Sequence, residues 1–168
     1  MKLALKLLMG YFIGLSNPAW AEKFENAYLS FNLPDGWTCK REVTEFVCDA
    51  PNPSNKNRVA IMVMAAKEPG PDDNLAAYTQ HLSKEAPAKG ATIVKPPILL
   101  NLQGTLWVDA TLLNSEVPNY YTRYMATVKD NVAVLYTFSV HKSRYEEFAG
   151  VSALAVQTLR VKPRPSRR

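Results

Sequence analysis

Cysteine and histidine are scarce in this chain, with only two of each among 168 residues. Nucleophilic catalysis of the triad kind needs a Ser or Cys held against a His that an acid holds in turn. The sequence offers no Gly-x-Ser-x-Gly elbow for that chemistry. Its seven glycines are scattered and build no phosphate-cradling loop. Metal sites gather His, Cys, Asp or Glu at helical or short-loop spacing. Asp72-Asp73 comes nearest, and its place ahead of a helical pattern reads as capping. Basic residues form no stripe on any predicted element, which argues against nucleic acid as a partner. The expectation is a protein that is not an enzyme and needs no metal or cofactor.

Long hydrophobic runs are also missing, apart from one at the start. Lys2 and Lys6 precede an uncharged stretch, Leu7 to Leu15, that Ser16, Asn17 and Pro18 end. A bilayer-spanning helix needs about 20 apolar residues, whereas a basic region with a shorter apolar core is the pattern of an export signal. Ala19-Trp20-Ala21 supplies small residues for cleavage after Ala21. Residues 1–21 therefore read as a signal peptide, the alternative being an uncleaved anchor. The first Cys is Cys39, so no lipidated Cys follows the apolar stretch. The expected location is outside the cytoplasm, in the periplasm or fully secreted.

What remains, Glu22 to Arg168, has the size of one domain with a proper core. Its basic balance is local. Of 20 Lys and Arg, two leave with the signal and five crowd the last nine residues: Arg160, Lys162, Arg164, Arg167 and Arg168. The body between is slightly acidic. Residues 22–160 read as one domain and 161–168 as a Pro- and Arg-rich tail. That tail is either a solvated end or a weak contact with an anionic surface.

In an exported chain the lone pair Cys39 and Cys48 predicts a disulfide. Trp37–Glu42 and Glu45–Asp49 read as a hairpin turning at Val43-Thr44, with the two cysteines directly opposite. A two-residue loop makes them a closely approaching, non-hydrogen-bonded pair. Val-Thr is poor chemistry for that turn, so a four-residue loop stays open. The rival reading, a redox pair, lacks the C-x-x-C spacing.

Periodicity supplies the other elements. Tyr28 to Leu33 alternates as a strand. Pro34-Asp35-Gly36 is a turn signal. The apolar run within Arg58–Lys67 suggests a strand buried on both faces. A helix capped by Asp72, Asp73 or Asn74 presents Leu75, Tyr78, Thr79, Leu82 and Ala86 on one face and ends at Pro87 and Gly90. Ala91–Leu102 is extended, with Pro96-Pro97 marking an edge or kink and Gly104 a bulge or bend. Thr105–Leu113, Tyr120–Lys129 and Val132–His141 read as strands. Ser115-Glu116-Val117-Pro118 and Asp130-Asn131 join them. Ser143-Arg144-Tyr145-Glu146 matches a capping box. The helix it opens runs to about Leu159 and buries Phe148, Val151, Ala155 and Leu159. This order gives an α+β fold, an antiparallel sheet flanked by helices.

The opening Tyr28-Leu29-Ser30-Phe31-Asn32-Leu33-Pro34-Asp35-Gly36-Trp37 resembles the "strand, Pro, x, Gly, Trp" start of PsbP-like and DcrB-like domains. The element order is similar through the final helix. The resemblance implies an α-β-α sandwich that acts without catalysis, as an accessory subunit, adaptor or envelope protein. DcrB-like members are typically lipoproteins, and this chain departs from them. No site residue carries over, because such members share a scaffold.

Pairing the three long strands through their turns places Leu106, Val108, Ala110, Leu112, Met125, Val134, Tyr136, Phe138 and Val140 on one face as a core. The other face carries Trp107, Asp109, Thr111, Tyr120, Thr122, Tyr124, Thr137, Ser139 and His141. Trp107, Asp109, Tyr120, Tyr124 and His141 are the candidate contact residues for an envelope protein or another envelope component. Cover of this face by the loops, the hairpin or a helix is the plainer reading, and a one-residue slip in register would exchange the faces. Two rivals stand beside partner binding. One is a carrier of a small apolar or amphipathic ligand such as a lipid; the other is a hydrolase pairing Asp109 with His141.

Overall fold

The structure, a computed structural model, describes residues 22–51 and 59–163. The expected signal peptide, residues 1–21, and Arg164, Arg167 and Arg168 lie outside the described residues. Among these residues, ten strands and three α-helices follow in the order β1 Lys23–Glu25, β2 Leu29–Asn32, β3 Thr38–Glu42, β4 Glu45–Asp49, β5 Ala60–Lys67, α1 Leu75–Gln80, α2 Ala86–Ala88, β6 Thr92–Leu102, β7 Thr105–Leu113, β8 Tyr120–Lys129, β9 Val132–His141, α3 Tyr145–Thr158 and β10 Arg160–Val161. A π-helical turn, His81–Glu85, joins α1 to α2. Among the described residues no helix is long and apolar enough to cross a membrane.

Seven strands make one antiparallel sheet in the order β3-β4-β5-β9-β8-β7-β6, and β1-β2-β10 make a second, small sheet. The small sheet and α3 cover one face of the large sheet. There Leu29, Phe31, Trp37, Met62, Met64, Trp107, Met125, Tyr136, Phe138, Ala155 and Leu159 form the main core. Phe31 meets Tyr136 edge-on at 5.8 Å, and Trp37 lies 5.9 Å from Phe138. The opposite face carries a smaller cluster, in which Leu82 of the helical segment meets Val108, Ala110, Leu112 and Tyr124. The α+β layering expected from the element order is what folds.

Turn chemistry accounts for the registers. Asp130 and Asn131 both take positive φ, 50° and 59°, the requirement of a two-residue hairpin turn. Gln103 and Gly104 do the same at 51° and 77°, so Gly104 is the second turn residue of the β6–β7 hairpin. Glu42 pairs with Glu45, so the disulfide hairpin closes on the two-residue Val43-Thr44 loop. Cys39 and Cys48 are paired across it, bridged, with their Cα atoms 4.0 Å apart. Val43 sits at φ 52° and is 90% exposed, a costly conformation for a β-branched residue.

Several expectations need correction. The β5 run is fully buried on one face only: Ala60, Met62 and Met64 are covered, while Ile61, Val63 and Ala65 are half-buried. Ser143 does not cap α3. Its hydroxyl lies 2.8 Å from His141 Nδ1, a 3-10 turn intervenes, and the residue before the helix makes no side-chain cap bond. The C-terminal tail is ordered further than expected. Arg160 and Val161 pair with β2, across the expected boundary at 160. Lys162 donates to Glu25 Oε1 at 2.6 Å and to the Asn26 carbonyl at 2.9 Å. Lys162 is thus engaged within the fold rather than free for an anionic surface.

This corner is acid-sensitive. Hydrogen bonds from Lys162, then from Lys23, hold the Glu25 carboxyl down at about 2. A depressed folded value stabilises above the unfolded carboxyl range, and the contribution is lost as pH falls through it. Between roughly pH 4.5 and 2, backbone amides of β10 and β2 should lose hydrogen-exchange protection ahead of the core of β9. Protection that falls together in both places would show that this latch contributes nothing local.

Candidate functional site

The helical segment covers only part of its sheet face. Between it and strands β5, β9 and β8 lies an open groove of about 940 Å³. Its floor is made of small or aliphatic side chains, Ala65, Ala126, Ala133 and Leu135, and its wall of Ala77, Tyr78 and Leu82. Pairing puts Ala65 directly opposite Leu135 and Leu135 opposite Ala126, so the floor crosses three strands. Leu135 is 40% exposed, large for an aliphatic side chain in the middle of a sheet.

Asn74 is the residue that caps α1, its Oδ1 accepting from the Ala77 amide at 2.8 Å. Asp73 does a different job. It takes Lys67 Nζ at 2.7 Å, the Gly70 amide at 2.7 Å and the Tyr78 hydroxyl at 2.9 Å. One carboxylate thus ties the end of β5, the loop and the helix together. The Lys67 bond, then the Gly70 amide, keep its pKa below the usual range, and burial beside Asp73 pushes the Tyr78 phenol up. Pro87 has no N–H to donate and its ring crowds the preceding turn. The wider π turn just ahead of it, with the Ala86 amide bonded to the His81 carbonyl, fits that constraint. It also sets His81, Leu82 and Glu85 along the groove. His81 Nδ1 meets Glu85 Oε2 at 2.9 Å on an exposed surface.

Beside the helical segment, the Tyr124 hydroxyl lies 2.7 Å from Glu116 Oε1 and 2.8 Å from Ser115 Oγ. Burial, and to a lesser degree Glu116, raises its pKa. Tyr124 is thus a covered member of the helix-side cluster.

The candidate contact residues divide between the two faces. Tyr120, Tyr124 and His141 share the helix-side face, Tyr120 meeting His141 edge-on at 5.3 Å. Trp107 and Asp109 do not. Trp107 is fully buried in the main core. Asp109 is opposite Met125 and holds Arg123 bidentately at 2.9 and 2.7 Å. The loop between β7 and β8 causes the shift. Asn114 and Asn119 both take positive φ, 63° and 67°, and pairing starts at Leu113 with Tyr121. One extra residue in the connection moves every β7 side chain to the other face. Leu106, Val108, Ala110 and Leu112 accordingly belong to the helix side, and Thr111 to the core side. Asp109 and His141 face opposite ways, so the hydrolase reading loses its shared face. Among the described residues no group of three or more His, Cys, Asp or Glu could hold a metal.

The groove went unread in the sequence. Its signal was the inward-facing alanines, Ala65, Ala126 and Ala133, which leave room beside a helix where larger residues would fill it. Asp72-Asp73 was read as capping alone.

No protein-family model and no curated protein matches the chain. Solved structures do. The solution structure of cyanobacterial PsbP (CyanoP) from Synechocystis sp. PCC 6803 aligns with a TM-score of 0.61 at 11% identity, covering 89% of this chain and 96% of that one. The Ran-binding protein Mog1p of Saccharomyces cerevisiae aligns at 0.53 and 10% identity, covering 80% and 90%. LpqN of Mycobacterium tuberculosis, described as involved in cell envelope biogenesis, aligns at 0.55 and 10% identity, covering 89% and 88%. At these identities the likeness establishes the fold, which is PsbP-like.

Proposed function

We propose that the protein is a non-catalytic, exported binding protein of the cell envelope that holds a partner protein in the groove between the helical segment and the sheet. The observation that carries this reading is the groove itself: an apolar floor with an exposed Leu135, walled by a helix and rimmed by charged groups. Partner surfaces combine an apolar centre with a polar rim in this way. Export is supported by the leader pattern at residues 1–21 and by the Cys39–Cys48 bridge. Two neighbours of the same fold are described by what they bind or serve, Mog1p as Ran-binding and LpqN in cell envelope biogenesis.

A photo-crosslinking amino acid placed at Leu135 should capture a defined protein in envelope fractions of the native host. The same group at Leu154, equally exposed at 40% but on α3, should not. Equal capture from both positions, or none from Leu135, would remove the groove from the account.

The volume of about 940 Å³ also suits a small apolar or amphipathic ligand, the second reading. Native mass spectrometry of freshly purified protein separates the two. A co-purified small molecule displaced by Ala65→Phe supports the carrier, whereas bare protein supports the partner.

A further inference from the structure

The charged rim says what kind of partner fits. Four carboxylates border the groove, Asp72, Asp73, Glu85 and Glu116, against one lysine, Lys67. Lys67 is already spent on Asp73 at 2.7 Å. His81 is engaged with Glu85 at 2.9 Å. Asp72 is exposed, and among the described residues no side-chain partner accompanies it. Glu116, also lining the groove, is exposed and accepts from the Tyr124 hydroxyl. Uncompensated negative charge therefore borders an apolar floor, from the loop ahead of α1 and from the loop between β7 and β8. Asp73 ties β5, the loop and α1 together through Lys67, Gly70 and Tyr78, whereas among the described residues Asp72 makes no such tie.

We infer that the groove takes a lysine- or arginine-bearing segment of a partner protein, its apolar side chains on Ala65, Ala133 and Leu135 and its cations between Asp72 and Glu116. The inference rests on the groove reading above and adds the partner's chemistry. Like charge facing like charge across an interface is unfavourable, so an anionic lipid headgroup is the occupant this rim turns away. Opposite charge steers encounter and weakens with salt.

The test is a nuclear magnetic resonance titration of the 15N-labelled protein with two ten-residue probe peptides, one alternating Lys and Ala, the other Glu and Ala. Phosphatidylglycerol vesicles serve as the third probe. The Lys peptide should shift the amides of Ala65, Tyr78, Glu116 and Leu135. Raising salt from about 50 to 300 mM should weaken its binding several-fold. Asp72→Asn with Glu116→Gln should weaken it at least about fivefold, both changes keeping hydrogen-bonding ability. Equal binding of the Glu peptide, stronger binding of the vesicles, or shifts centred outside the groove would overturn the inference. Leu135-directed capture that persists undiminished in the Asp72→Asn, Glu116→Gln variant would overturn the charge argument alone. No capture in the wild type would overturn the groove reading beneath it.

Discussion

Trp107→Ala is expected to destabilise the protein by about 3–5 kcal/mol, much of the stability of a domain this size. The side chain is fully buried among Leu100, Met125 and the α3 side of the core. Removing it leaves a cavity where neighbouring strands cannot collapse. Its indole nitrogen has no hydrogen-bond partner among the described residues. The polar atom therefore contributes little, and Trp107→Phe should cost much less than Trp107→Ala. Urea unfolding of both variants reads the difference. A contact role for Trp107 on an open surface predicts the reverse: unchanged unfolding midpoints for both variants. Midpoints equal to wild type would contradict the core placement and with it the β7 register.

Breaking the Cys39–Cys48 bridge should cost just under about 3 kcal/mol, the loop-closure value for a closed loop this short. The bridge also has local work to do. Val43 holds φ 52° at the tip of the two-residue turn, an arrangement that glycine or asparagine would adopt without strain. Without the covalent tie, nothing in the Val-Thr turn favours this register. Reduction, or Cys39→Ala with Cys48→Ala, should therefore fray β3 from β4 first, because β3 is the edge strand. Adding Val43→Gly to the reduced protein should recover about 1 kcal/mol, since glycine takes positive φ freely at some cost in chain entropy. Thermal unfolding with and without reductant, in both backgrounds, gives the four values needed. A reduced protein as stable as the oxidised one would mean that the hairpin is held by its sheet neighbours alone.

The fold was legible where one residue type has one physical use. Asp130-Asn131 announced its hairpin because both residues tolerate positive φ. The cysteine pair announced the register of β3 and β4. The alternation of β9 placed Val134, Tyr136, Phe138 and Val140 together on the core. Legibility failed where a loop had freedom. Nothing in Ser115-Glu116-Val117-Pro118 states that Asn114 and Asn119 both turn left-handed, and that one residue of slip carried Trp107 and Asp109 to the wrong face. The capping-box pattern at Ser143 failed for a local reason, since His141, two residues earlier, engages that hydroxyl and a 3-10 turn intervenes. The groove could not be read at all from periodicity. It depends on how far a short helix, pinned by Asp73 to Lys67 and Tyr78, stands off from strands whose alanines leave space.

The most direct measurement of the central claim is recovery of the partner by the Leu135 crosslink after filling the groove with Ala65→Phe. Ala65 faces open space opposite Leu135, so the ring occupies a void rather than overpacking a core. The account predicts at least about a tenfold loss of captured partner, equivalent to roughly 1.4 kcal/mol of binding. The unfolding temperature should stay within about 2 °C of wild type. Full capture by a stably folded Ala65→Phe variant would place the partner elsewhere on the protein and contradict the account.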